Sequence, residues 1–155
     1  MKEHFLPDFS GCVVGDFHTV KAVERLCREE LEAVATYLYR ETLIGDGDPE
    51  LGAFFEEQAQ EAAYHFRFLG SLLLAMGGDL SLRTQIRLHG GTVREREESR
   101  RAQNFLYDSL CEKRRLCALY RSVMEGCEDG VVRSALSCLL EDEERSEMAF
   151  QRFFG

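Results

Sequence analysis

Apolar residues along this chain recur at helical rather than alternating spacing. From about His18 to Ile44, the positions Val20, Val23, Cys27, Val34 and Tyr37 fall on one helical stripe. Gly45-Asp46-Gly47-Asp48-Pro49 breaks that stripe, and Asp48 suits an N-cap with Pro49 at the first helical position. A second helix therefore starts there, carries Phe54, Phe55, Ala62, Leu69, Leu72 and Met76, and stops at Gly77-Gly78. Residues 77–91 hold two Gly-Gly pairs and no sustained period, which predicts a long connection. Thr92 with Glu95 has the form of a capping box opening a third helix, whose buried stripe is Ala102, Phe105, Ser109, Leu116, Tyr120 and Val123. Gly126 ends it, and a turn at Cys127–Gly130 leads to a fourth helix with Val132, Ala135, Leu136, Leu139, Phe150 and Phe154. Residues 1–17, with Pro7, Gly11 and Gly15, read as an irregular arm. The pattern predicts an all-α antiparallel four-helix bundle over residues 18–155, with a long crossover between helices 2 and 3.

Composition narrows the partners. The 155 residues carry 28 Asp+Glu against 19 Lys+Arg, a formal charge of −9, which argues against nucleic acid as a general partner. Arg83, Arg87, Arg94, Arg96, Arg100 and Arg101 gather near the crossover, but Glu95, Glu97 and Glu98 interleave with them, as on a solvated helix face. The six cysteines, at 12, 27, 111, 117, 127 and 138, include no pair separated by only two residues. That excludes zinc ribbons, rubredoxin-type iron sites and thioredoxin-like centres, and Cys27, Cys111 and Cys117 read as helical core fillers. Met1-Lys2-Glu3-His4 leads into no apolar signal region, and the run Leu72–Met76 is far too short to span a bilayer. The expectation is a reduced cytoplasmic protein with no membrane partner.

Helical bookkeeping at about 100° per residue then singles out polar groups that point into the core. Glu30 is flanked at three, four and seven residues by Val23, Leu26, Cys27, Ala33, Val34 and Tyr37, whereas Glu32 follows Arg25, Arg28 and Glu29 on a solvated face. On the second helix Gln58 and His65 sit near the stripe centre, with Glu61 on its edge. On the third, Glu112 lies among Phe105, Ser109, Leu116 and Leu119, with Asp108 and Arg115 also close. On the fourth, Glu143 shares the face of Leu136, Leu139, Leu140 and Phe150, and Glu147 lies on the flank. Buried carboxylates without compensation each cost on the order of several kcal/mol, so three in one core need cations or protons. A divalent metal supplies them, and carboxylates with imidazole suit iron or manganese. Neutralisation by Arg101 or Arg115 is the competing reading.

On these residues the chain resembles the ferritin-like superfamily, and within it the rubrerythrin-type bundle, over roughly residues 20–154. The resemblance implies two irons, sometimes manganese, held by a Glu from one helix of each pair and a Glu-x-x-His from the other. Glu30 with Tyr37 seven residues on looks like the first-helix motif, and Phe55-Glu56-Glu57-Gln58-Ala59 continuing to His65 looks like the second. Asn104-Phe105 through Glu112 to Tyr120 is similar to the third, and Glu143 followed by Phe150 to the fourth. The metal ligands so implied are Glu30, His65, Glu112 and Glu143. Three family ligand positions depart: Ala62 stands three residues before the histidine, Ser146 three after the fourth-helix Glu, and Arg115 three after Glu112. No paired Cys-x-x-Cys of the family's rubredoxin-like domain is present. Glu61, four residues before His65, and Glu147, four after Glu143, are substitutes that would reach in from the stripe edge.

The function implied by the resemblance is non-haem metal binding, one or two ions of iron or manganese per chain, with ferroxidase or peroxidase chemistry on dioxygen or peroxide. Tyr37 and Tyr120 would then stand beside the metals, or simply pack. The alternative is a mononuclear or metal-free bundle, with Arg115 replacing the second cation, acting in metal storage, sensing or dimeric interaction. A homodimer is expected, since long bundles pair along apolar edges.

Overall fold

The structure is a computed structural model that describes residues 6–9, 15–81 and 98–155, without the side chains of 98–101. Its elements are α1 (Phe17–Ile44), α2 (Pro49–Ala75), α3 (Glu98–Glu125) and α4 (Gly130–Gln151), followed by a 3-10 turn, Arg152–Phe154. The Thr92–Glu95 capping box and residues 82–97 of the connection lie outside the described residues. Three helices open on an aspartate whose carboxylate accepts from the orphan N–H groups of the first turn. Asp48 accepts from Leu51 N, as its place before Pro49 predicts. Asp16 accepts from Thr19 N at 2.8 Å, and Asp129 from Val131 N at 2.8 Å. The first helix thus begins inside the segment expected to be irregular.

Glycine is required at the α1–α2 hairpin, where a Cβ on Gly52 would stand 2.8 Å from Gly45 Cα. After α2, Gly77 takes a φ of +79°, the left-handed conformation that ends a helix and that other residues adopt only with strain.

Cross-helix contacts fix the topology. Glu30 meets Tyr120 while Arg40 meets Ser109, so α1 and α3 run antiparallel. His65 meets Asp142 while Glu61 meets Ser146, so α2 and α4 do too. The hairpins make α1–α2 and α3–α4 antiparallel, and α2 and α3 are consequently parallel. A parallel pair needs a connection that returns along the whole bundle, which accounts for the long link between them.

The core is divided. Val23, Leu26, Leu69, Leu72, Leu136 and Leu139 fill one end of the bundle. Tyr37, Phe55, Phe105, Leu106, Leu110 and Phe150 fill the other, where Phe54, Phe55 and Tyr37 pack around the Phe150 ring. Between the two clusters lie the buried polar side chains Glu30, His65, Lys113 and Glu143, one from each helix, with Ser146 of α4 beside them. Among the described residues, no helix is long and apolar enough to cross a membrane.

Candidate metal centre

The His65 imidazole lies at the middle of the polar layer. Its Nδ1 is 3.2 Å from Glu30 Oε1 and 2.8 Å from Glu143 Oε1, and all three side chains are closed to solvent. Tyr120 donates its hydroxyl to Glu30 Oε1 at 2.7 Å, which orients that carboxyl from α3. Lys113 donates to Glu143 Oε2 at 2.6 Å, and its ammonium also stands 5.3 Å from the centre of the Tyr37 ring. Glu30 Oε2 is buried and has no hydrogen-bond donor.

Burial and mutual repulsion set the protonation of this layer. Burial first, and the charge of Glu143 second, push the Glu30 carboxyl up to about 7. Burial pushes Glu143 the same way, but the Lys113 ammonium and the His65 ring overcome it and hold this carboxyl well below the usual carboxylate range. Burial opposes a charge on His65, yet Glu30, Asp142 and Glu143 together keep its protonation well above the ordinary histidine range. Burial likewise opposes the Lys113 charge, and Glu143 overcomes it. Burial raises Tyr37 to about 12 and, with the Glu30 charge, also raises Tyr120, so both stay protonated.

The other nitrogen of His65 faces a second, wetter set of oxygens. Nε2 is 3.0 Å from Asp142 Oδ2 and 3.9 Å from Glu61 Oε1. Ser146 donates to Glu61 Oε1 at 3.3 Å, and Arg145, largely exposed, holds the other Asp142 oxygen at 3.0 Å.

The expected ligands separate into two groups. Glu30, His65 and Glu143 come together, with Glu61 at the edge as its stripe position predicts. Glu112 does not join them: the buried Arg40 binds its half-exposed carboxylate with both terminal nitrogens, at 2.7 and 2.9 Å, where α1 meets α3. Glu147 lies on the flank, paired with Arg114 at 3.2 Å. Arg115 is exposed and meets none of the cluster, while the Arg101 side chain lies outside what is described.

The inward cation of α3 is Lys113, one residue beyond Glu112. Its neighbours at three, four and seven residues are Leu106, Ser109, Leu110, Leu116, Cys117 and Tyr120, all buried. Glu112 has exposed Asp108 and Arg115 at the corresponding offsets. The uncharged surround of Lys113, broken in polarity only by Ser109 and the Tyr120 hydroxyl, is the signal that identifies it from sequence. Asp142 and Arg40 carry a weaker signal: Asp142 has Ala135, Cys138, Leu139, Ser146 and Ala149 at the same spacing, but also the charged Arg145.

Three donor atoms, one each from Glu30, His65 and Glu143, lie within 4.8 Å of one another, close enough to share an ion. Two carboxylate oxygens and an imidazole nitrogen suit iron or manganese. The donor-free Glu30 Oε2, and a Glu30 carboxyl pushed up to about 7 by burial and the Glu143 charge, mark a cluster that calls for positive charge at this point. The residues present therefore fit one divalent ion. The Lys113 ammonium already occupies the other oxygen of Glu143. A groove of about 360 Å³ between α1 and α3 reaches Lys113 and Tyr37, and Glu32, Arg115 and Leu119 also line it.

No protein-family model matches the sequence, and no curated protein matches it. The structure is similar to a bacterioferritin from Rhodobacter capsulatus, described with a metal-free dinuclear site and a haem iron. The two are 20 % identical over 90 % of this chain and 85 % of the bacterioferritin, with a TM-score of 0.77. This chain has the ferritin-like four-helix bundle fold, as the sequence resemblance implied. The narrower rubrerythrin-type assignment is carried by the sequence motifs alone.

Proposed function

We propose that this protein is a ferritin-like metal-binding bundle that holds one divalent ion, iron or manganese, between Glu30, His65 and Glu143. The observation that supports it most is the convergence of those three donors in a dry layer that protons otherwise neutralise. A divalent ion held there would supply the positive charge that protons on His65 and Glu30 supply in the metal-free layer. Tyr120 holds Glu30 in place, and Lys113 supplies the charge that a second ion brings in the two-metal sites of the family. Bound iron would supply one-electron redox chemistry toward dioxygen or peroxide, whereas manganese or iron held without turnover would serve storage or sensing.

Metal content after anaerobic Fe(II) or Mn(II) loading tests the proposal. One ion per chain is expected, lost in His65→Ala and no longer held on Nδ1 in Glu30→Gln; two ions, or none, overturn it. The metal-free bundle is the second reading, favoured by Lys113 and protonated His65 already balancing the carboxylates, and it corresponds to the result of none. Fe(II) oxidation by peroxide faster than in free solution distinguishes a redox role from storage. Exposed Met148, Phe153 and Phe154 near the end of α4 support the self-association expected of this fold, which a solution mass of two chains would bear out. The five described cysteines are free, which suits the expected reducing cytoplasm.

A further inference from the structure

We propose a second, outer metal position on Nε2 of His65, completed by Asp142 and Glu61, that takes up the divalent ion before the inner donors hold it. This rests on the inner-site reading above and adds the route by which a closed site is loaded.

The two nitrogens of His65 face different worlds. Around Nδ1 the carboxylates of Glu30 and Glu143 are sealed from solvent, their side chains 0 % and 1 % exposed. Around Nε2 the side chains of Asp142 and Glu61 are 24 % and 31 % exposed. The three outer donor atoms also lie within 4.8 Å of one another. An aqueous ion therefore meets Asp142 and Glu61 first. Only Arg145 competes for Asp142 among its described ion pairs, from an exposed position that gives it little hold.

A neutral imidazole has one bare nitrogen, and the other carries the proton. With an ion on Nε2, the proton sits on Nδ1 and is donated to Glu143, 2.8 Å away. With an ion on Nδ1, the proton sits on Nε2 and is donated to Asp142, 3.0 Å away. Each state thus finds its remaining hydrogen bond already built, and one ring serves one ion at a time. Uptake releases one ring proton to solvent; passage inward moves the remaining ring proton from Nδ1 to Nε2 and releases the Glu30 carboxyl proton, with no change of oxidation state. Ser146 matters here as the donor that fixes Glu61, a role the family's histidine at that position would not leave open.

Stopped-flow uptake of Co(II), read by its visible absorbance, tests the proposal on the full chain. Glu61→Gln/Asp142→Asn is expected to slow uptake by roughly tenfold or more while final stoichiometry stays that of the wild type. Glu128→Gln/Glu141→Gln, which removes two exposed charges elsewhere, should stay within about twofold. Equal slowing in both pairs, or none in the first, overturns the outer position and leaves the inner one standing. A wild type that takes up no Co(II) overturns both. Nitrogen-15 shifts of His65 with Zn(II) give a further reading. In Glu30→Gln the ion should sit on Nε2; coordination through Nδ1, or no uptake, overturns the proposal.

Discussion

Lys113 Nζ lies 2.6 Å from Glu143 Oε2, with both side chains withdrawn from solvent. A buried pair of this kind is weak evidence of net stabilisation, because desolvation cancels much of the attraction. Removing one partner is different, since it leaves the other charge stranded. Lys113→Met is therefore expected to destabilise the metal-free protein by about 3–5 kcal/mol in chemical denaturation. The stranded Glu143 then has more to gain from a cation, so Mn(II) should raise the melting temperature of the variant more than that of the wild type. A variant as stable as the wild type, or no larger response to Mn(II), would contradict the role given to Lys113.

Arg40 and Glu112 give the opposite expectation. The guanidinium is 4 % exposed and the carboxylate 36 %, and Ser109 takes a further bond from the same Arg40 nitrogen at 2.7 Å. Glu112→Gln should cost about 1–3 kcal/mol by weakening the partner of a buried cation, discounted for the solvent around Glu112. Metal content should not change. Loss of the ion in this variant would return Glu112 to the ligand set that the sequence resemblance implies.

That pair also shows how far the sequence was legible. The hydrophobic period located all four helices, and Asp48-Pro49 marked the start of α2 because cap chemistry is local. Glu30 was recoverable because apolar neighbours surround it on its face, and His65 and Glu143 because each lies near the centre of an apolar stripe, among Phe68, Leu69 and Leu72 and among Leu136, Leu139 and Phe150. Glu112 and Lys113 differ by one residue, or about 100°, and a stripe with Arg115 and Asp108 on one side leaves its centre ambiguous. Only the pairing of α1 with α3 decides it, because the buried Arg40 of α1 captures Glu112 while Lys113 reaches Glu143. The Asp142 contact depends in the same way on how α4 meets α2, a relation with no local signature.

Protonation of the layer gives the metal-free protein a definite pH dependence. The folded Glu30 carboxyl is raised to about 7 from an ordinary value near 4.5. Its stabilising proton is fully present below the ordinary value and is lost as pH rises through 7. His65 acts in the same direction, its contribution being lost as pH rises through its raised folded value. The depressed Glu143 contributes fully above the ordinary carboxylate range and loses that contribution only in strong acid. Metal-free protein should thus melt at progressively lower temperature from pH 5.5 to 8.5, with a shallower slope in Glu30→Gln. A flat profile over that range would remove the protonated layer from the account.

Tyr120 tests whether the carboxyl geometry is set from behind. Its hydroxyl gives Glu30 Oε1 a 2.7 Å bond while the ring is fully buried among the apolar residues at one end of the bundle. Tyr120→Phe keeps the ring and removes only that bond, so the packing loss should be small and the stability cost about 1–2 kcal/mol. Groups that orient a ligand typically change metal affinity by about 10- to 100-fold. Calorimetric titration with Mn(II) should show a loss in that range at unchanged stoichiometry, because the three donors remain. If the affinity is instead unchanged, Glu30 needs no orientation, and Tyr120 belongs to the core alone.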